Sequence, residues 1–117
     1  MPLNTQVESL GKITLVTPAG RLDFGAAAAF QTQLEKALAG DGPVPVGMII
    51  DCAALDYVSS AGLRVFLLVA RGAKRTGVAL ALCSLKPAVR EVFDISGFGQ
   101  LIALYADRAA ALARMPG

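Results

Sequence analysis

Two uninterrupted apolar runs, separated by a stretch with helical spacing, place the strongest limit on the fold of this chain. One run is Met48-Ile49-Ile50, between Gly47 and Cys52, and the other lies in residues 78–85. Apolar side chains recur at helical intervals across Ser60–Thr76 between them. A strand that is covered on both faces shows a continuous rather than an alternating apolar run. Successive strands separated by a helix are joined most simply by right-handed crossovers. The pattern therefore predicts an α/β domain with a mostly parallel central sheet.

Segments on either side extend this prediction to nine elements. Residues 7–10 and 13–17 flank the two-residue break Gly11-Lys12, which predicts an N-terminal β-hairpin. The other predicted elements are helices over residues 24–39, 87–96 and 107–115 and a short strand over residues 101–104. The predicted order is β-β-α-β-α-β-α-β-α, with four helices. Functional loops of such sheets lie at the carboxyl ends of the strands, which directs attention to residues 51–59.

Length and composition fit one compact unit without a membrane span. A chain of 117 residues that is 55% hydrophobic and 17% charged predicts a single ordered domain over residues 1–117. The longest stretch without Asp, Glu, Lys or Arg covers residues 95–106, and a spanning helix needs roughly 18 apolar residues. Residues 1–6 show no secretory signal pattern. We therefore expect a cytoplasmic protein with no transmembrane segment.

The chain contains no histidine, and this absence excludes most catalytic constellations. Without imidazole there is no Ser-His-Asp triad, no Cys-His pair and no HExxH zinc site. We therefore predict that the protein is not an enzyme and holds no metal or cofactor. Its formal net charge of +2 is small and dispersed, which argues against nucleic acid as a partner. Cys52 and Cys83 lie within apolar runs and are predicted to be buried, reduced thiols.

Two adjacent hydroxyls, those of Ser59 and Ser60, lie where the loop after a buried strand turns into the second predicted helix. A helix start has unpaired backbone N–H groups, and its dipole favours an anion. One hydroxyl can cap the helix while the other is placed for a phosphate, and an ordinary N-cap explains either serine by itself. Gly62 weakens the first turn, which fits either the close approach of another surface or simple packing against a neighbour.

Three stretches of the sequence together resemble a known family. They are Gly20-Arg21-Leu22-Asp23, residues 56–64 with the motif Ser59-Ser60-Ala61-Gly62-Leu63-Arg64, and residues 86–98. In combination they resemble the STAS domains, and within them the bacterial anti-sigma factor antagonists, over nearly the whole chain. In that family a serine two places before the Gly-Leu pair is phosphorylated, which implies Ser60 as the phosphorylation site here. Many members have Asp immediately before this serine, where this chain has Ser59.

The resemblance implies a function in binding rather than in catalysis. The unmodified protein would bind an anti-sigma factor that is itself a GHKL-type serine kinase, and the sigma factor would be freed. Phosphorylation of Ser60 would abolish this binding, and a PP2C-type phosphatase would be a further partner. The positions that the resemblance implies in partner binding are Asp23, Tyr57, Ser59, Ala61, Gly62 and Arg64. A helix cap is the competing interpretation for Asp23, and a solvated basic stripe is the one for Arg64.

Three other functions are compared with this one on the sequence alone. A STAS subunit of a lipid ABC transporter or a stress-signalling scaffold would share the fold without the phosphorylation. A receiver-type phosphoaspartate domain would use Asp51, but it needs two further acids after the first strand and a lysine after the last one, and residues 101–106 contain no lysine. An enzyme with Cys52 or Cys83 as nucleophile would need an adjacent base or cationic cluster, and neither is visible in the sequence.

Overall fold

A computed structural model describes residues 2–39 and 42–116 of the chain. Its strands are β1 (Asn4–Leu10), β2 (Ile13–Leu22), β3 (Gly47–Asp51), β4 (Leu55–Val58), β5 (Ala79–Cys83) and β6 (Ala103–Tyr105). Its helices are α1 (Phe24–Ala39), α2 (Ser60–Thr76), α3 (Pro87–Ser96) and α4 (Arg108–Leu112), with a 3₁₀ turn over Phe98–Gln100. In this described part, no helix has both the length and the apolar character that a bilayer crossing requires.

The main sheet has the strand order β1-β2-β3-β5-β6. Strands β1 and β2 pair antiparallel across the turn at Gly11 and Lys12, whereas β2, β3, β5 and β6 are parallel neighbours. The glycine of this turn has a φ of 65°, a conformation that other residues rarely adopt. The predicted α/β class, the N-terminal β-hairpin, the four helices and the bounds of α1, α2 and α3 are confirmed.

Strand β4 is missing from the sequence prediction, and several other bounds differ. The two ends of β4, Leu55 and Val58, are buried and its two middle residues are exposed, so that the strand lacks the period-two alternation that sequence reasoning uses. Strand β1 is exposed along nearly its whole length, and its polar first half therefore gave no apolar signal. Strand β2 continues to residue 22 through Pro18 and Gly20, although both residue types are depleted in strands. The last predicted strand and helix are shifted or shortened by a few residues.

The core lies mainly between one face of the sheet and helices α1, α2 and α3, while α4 covers part of the opposite face. Phe30, Phe66 and Phe93 each come from one of the three helices. Their rings meet edge to face, with centroids 5.6 Å apart in the first pair and 5.3 Å apart in the second. Such pairs contribute about 0.5–1.5 kcal/mol beyond the burial of their area. The aromatic row therefore fixes the three helices relative to one another.

Strand β2 changes its partner along its length, and this change sets up the edge where the candidate site lies. Residues 13–16 pair with β3, whereas residues from Gly20 onward pair with β4. The register shifts between Gly20 and Arg21, and Gly20 has a φ of 108°. A glycine is needed there because side chains rarely adopt that conformation. Since β2 and β4 run parallel and end together, α1 and α2 start from neighbouring points at the carboxyl edge of the sheet.

Candidate functional site

Two capped helix starts lie side by side at this carboxyl edge. The Asp23 carboxylate oxygen Oδ1 accepts a hydrogen bond from the backbone N–H of Ala26 at 3.0 Å, which caps α1. The Ser59 hydroxyl oxygen accepts one from the N–H of Gly62 at 3.1 Å, which caps α2. The backbone N–H of Ser59 also donates to the carbonyl oxygen of Leu22 at 2.9 Å. This bond joins the two helix starts directly through the backbone.

The structure shows which of the two serines caps α2, a question that the residue types alone left open. Ser59 is the N-cap, half-buried, with its hydroxyl engaged in the cap. Ser60 is the first helical residue and is exposed, and its hydroxyl makes no hydrogen bond within residues 2–39 and 42–116. The first turn of α2 contains no acidic residue, so that the positive end of the helix dipole is not already neutralised. A phosphate on Ser60 would therefore be tolerated by the fold.

The capping geometry also bears on Ser59, which stands where many members of the resembled family have aspartate. Asp and Ser are both preferred N-cap residues, because each has a short side chain whose oxygen reaches the N–H groups of the first turn. Ser59 therefore performs the structural role that an aspartate at the same position can perform. The neighbouring Ser60 hydroxyl keeps its position at the start of the helix.

Replacement of Ser59 by alanine is expected to lower the free energy of unfolding by about 1 kcal/mol, because it removes the cap of α2. The same replacement at Ser60 is expected to change it by no more than about 0.5 kcal/mol, since this side chain is exposed and makes no bond in the fold. Urea denaturation of the two single variants beside the parent protein measures both values. A loss at Ser60 as large as that at Ser59 would contradict the assignment of the cap.

Gly62 is buried, and the structure shows what requires a glycine there. A Cβ atom at this position would lie 2.6 Å from Cγ and 3.1 Å from the carbonyl oxygen of Leu22. Helix α2 therefore approaches the end of β2 more closely than any side chain would permit. The sequence allowed either the close approach of another surface or packing against a neighbour as the reason for Gly62. The structure shows that both describe one contact, with Leu22, inside the protein. That Gly62 contributes to partner binding stays a prediction. Because Gly62 is buried, it would act by setting the position of α2 rather than by contacting the partner.

Strand β4 places two side chains at the rim of the site. The Tyr57 ring is partly exposed, and the guanidinium carbon of Arg21 lies 4.2 Å from its centroid, which is a cation–π contact. Asp56 forms an exposed ion pair with Lys86, the residue that precedes α3. The hydrogen bond and the charge of Lys86 lower the pKa of the Asp56 carboxyl. Sequence reasoning missed both pairs, because the partners become neighbours only through the unpredicted strand.

The remaining predicted partner-binding residues lie on α2. Ala61 is half-buried and Arg64 is exposed, one turn after Ser60. Both line a groove between the first turns of α1 and α2, together with Phe24. The structure thus brings all predicted site residues to one edge of the sheet, with Gly62 beneath the surface that the others form.

The residues on which the competing functions depend are engaged elsewhere or chemically inert. Asp51 is buried and accepts hydrogen bonds from Nε and Nη2 of Arg108 at 3.1 and 2.9 Å, so that its carboxylate holds α4 to the sheet. Burial raises the pKa of the Cys52 thiol, and burial likewise raises the pKa of Cys83. Both thiols are therefore protonated and weakly nucleophilic near neutral pH. The prediction that they are buried is confirmed, and both are free cysteines in the structure.

A mostly parallel sheet with an N-terminal hairpin and a capped, hydroxyl-bearing helix start at its carboxyl edge defines a STAS-type domain. The chain belongs to the STAS domain family, whose model matches residues 4–111. It is similar to a Bordetella bronchiseptica protein named as an anti-sigma factor antagonist, BtrV, with 52% identity over 66 residues. The match covers 56% of this chain and 57% of that relative, so it spans little more than half the length of either.

Solved structures agree in fold over nearly the whole chain. An anti-sigma factor antagonist from Mycobacterium paratuberculosis superposes with a TM-score of 0.82 at 24% identity, covering 97% of this chain and 93% of that one. The anti-sigma factor antagonist SpoIIAA in its unphosphorylated form superposes with a TM-score of 0.78 at 25% identity, covering 95% of each chain. The phosphorylated form of SpoIIAA from Bacillus superposes with a TM-score of 0.70 at 24% identity, covering 95% and 98%. The predicted STAS fold is confirmed.

Proposed function

We propose that this protein is an anti-sigma factor antagonist, that its unmodified form binds an anti-sigma factor with serine kinase activity, and that phosphorylation of Ser60 ends this binding. The observation that supports it most directly is the exposed Ser60 hydroxyl at the first position of α2, beside a cap that Ser59 already supplies. The similarity to BtrV and to both forms of SpoIIAA supports the same proposal.

The phosphorylation step requires only a hydroxyl from this chain. A bond forms between the Ser60 oxygen and the γ-phosphorus of ATP, the bond from that phosphorus to the ADP oxygen breaks, and a base of the kinase takes the hydroxyl proton. A PP2C-type phosphatase would reverse the modification by hydrolysis. In both reactions the protein is a substrate, and we propose that it has no enzymatic activity of its own.

The phosphate acts on the interface rather than on the fold. It adds about −1.5 to −2 charges at one point, which the start of α2 tolerates because of its dipole and its unpaired N–H groups. A partner surface that packs against Ser60 and is itself apolar or acidic would have to bury the same charge without a compensating cation from the partner, which costs several kcal/mol. Binding to the unmodified form would free the sigma factor by mass action, and modification would return the anti-sigma factor to it. We place this cycle in the cytoplasm, where sigma factors meet RNA polymerase.

Incubation with the GHKL-type anti-sigma factor of the same organism and Mg-ATP is expected to add one phosphate, at Ser60. Mass spectrometry of the intact chain and of its peptides measures the number and position of the phosphates. The Ser60→Ala variant should remain unlabelled, and the Ser59→Ala variant should still be labelled. Phosphate on Ser59 in the parent protein would contradict the assignment of the site. The absence of label from both serines would contradict the proposal and favour a STAS subunit or scaffold that is not phosphorylated.

A further inference from the structure

A groove runs between the first turns of α1 and α2, next to Ser60. We call it the α1–α2 groove; its volume is about 420 Å³, and it is lined chiefly by Phe24, Ala27, Ala28, Ala61, Arg64 and Val65. Most of its lining side chains are small and apolar; the exceptions are the aromatic ring of Phe24, the amide of Gln31 and the guanidinium group of Arg64. Ala61 directly follows Ser60, so the groove is continuous with the surface that the proposed function assigns to the anti-sigma factor.

The aromatic lining residue, Phe24, contributes little to the core of the chain, because its side chain is mostly exposed. Phe24 is the first residue of α1, and its side chain is 84% exposed. Asp23 already caps that helix, so the cap does not require Phe24. An exposed phenylalanine loses most of the free energy that its burial would provide. Aromatic residues are enriched in the cores of protein interfaces, where a partner can cover them. Phe24 thus has the properties of an anchor that becomes buried on binding.

Among the described residues that line the groove, the only charged side chain is the cation Arg64. Helix α2 contains four cations and no acidic residue, and Arg64 is the cation that lines the groove. Within the described residues, no carboxylate lies within 4.0 Å of Arg64, and no acidic side chain lines the groove. The complement of this surface is therefore a segment that presents an apolar side chain beside a carboxylate.

We propose that the α1–α2 groove binds a segment of the anti-sigma factor in which an apolar side chain packs against Phe24 and a carboxylate pairs with Arg64. This inference rests on the proposed function and adds the chemistry of the recognised segment. The inference also links the binding of the anti-sigma factor to the phosphorylation of Ser60. Ser60 and Arg64 are four positions apart in the sequence and share one helix face. A phosphate on Ser60 would offer Arg64 an intramolecular anion and would repel the carboxylate of the partner.

The test compares two groove variants with two matched controls by isothermal titration against the anti-sigma factor that phosphorylates Ser60. Phe24→Ala and Arg64→Glu are each expected to weaken binding by at least about tenfold. Ile95 is a similarly exposed apolar residue, 80% exposed, near the carboxyl end of α3 and outside the groove. Ile95→Ala should leave the affinity within about threefold. Arg71→Glu reverses a charge two turns further along α2 and should have a similarly small effect.

A charge exchange identifies the paired carboxylate. Single Asp→Arg and Glu→Arg replacements across the anti-sigma factor should include one that weakens binding to the parent protein and restores binding to Arg64→Glu. Rescue of this kind would not follow from a merely structural role of Arg64. If the parent protein binds and both groove variants bind equally well, the groove assignment is wrong while the proposed function stands.

Two further outcomes separate the remaining possibilities. If the parent protein fails to bind the anti-sigma factor, the proposed function is wrong, and the groove assignment falls with it. If the parent protein sediments as a dimer and Phe24→Ala converts it to a monomer, the groove binds a second copy of this chain, and the inference is overturned. Equal thermal unfolding temperatures of the parent and the four variants would confirm that the measured differences arise at the surface.

Discussion

Replacement of Ser60 by aspartate is expected to lower the affinity for the anti-sigma factor by about two to three orders of magnitude. A carboxylate at this position would be buried against the partner without a compensating cation from the partner, and it would compete with the partner's carboxylate for Arg64. Roughly 3 to 4 kcal/mol of desolvation and repulsion corresponds to that loss of affinity. The fold is expected to remain intact, because the side chain is exposed and acidic residues are favourable in the first turn of a helix.

The measurement is a titration of the anti-sigma factor with the parent protein, Ser60→Ala and Ser60→Asp. The alanine variant should bind within about threefold of the parent, since it removes only a small exposed hydroxyl. As a matched control, Ser9→Asp adds the same charge at an exposed position of the N-terminal hairpin, at the opposite edge of the sheet, and should leave the affinity unchanged. Equal affinities of the alanine and aspartate variants would exclude Ser60 as the switch.

The sequence was sufficient for those parts of the fold in which local pattern and tertiary environment agree. Helix α2 was predicted with its true bounds, because its apolar face has a clear period and Gly77 ends it in the left-handed conformation. Strand β4 was missed because its pairing with β2 depends on a bulge at Gly20, far away in sequence. Neither its length of four residues nor its pattern of burial distinguishes it from a loop. What could not be predicted is therefore the part of the sheet that depends on non-local pairing.

The same distinction applies to the candidate site. The two serines, the helix start and the nearby aspartate were identified from the sequence, since capping residues and motifs are local features. The identity of the cap, Ser59 rather than Ser60, required the hydrogen bond from the N–H of Gly62, which only the structure supplies. The exposure of Phe24 was also unpredictable, because an aromatic residue at the start of an apolar helix is more often buried.

Replacement of Gly62 by alanine is expected to destabilise the protein although alanine is the better helix former. The added Cβ would approach Cγ of Leu22 to 2.6 Å, and the Leu22 side chain is fully buried and cannot move aside freely. Overpacking of this kind typically costs about 1–3 kcal/mol. The helix propensity gained on removing a glycine returns at most about 1 kcal/mol. An overpacking cost above about 2 kcal/mol would therefore leave a net loss of stability larger than the loss of about 1 kcal/mol expected for Ser59→Ala.

Gly72 provides a matched control on the same helix, with the opposite expected sign. A Cβ there would meet only Cδ1 of Leu38, at an ordinary contact distance of 3.9 Å, so that Gly72→Ala should stabilise the protein by about 0.5–1 kcal/mol. Urea denaturation of both variants measures the difference. If Gly62→Ala and Gly72→Ala change the free energy of unfolding equally, helix propensity alone determines the effect of both. The close approach of α2 to β2 would then not be what requires Gly62. If Gly62→Ala instead destabilises the protein and weakens binding together, the position of α2 is part of the interface, because the added methyl group would displace Ser60 along with the helix start.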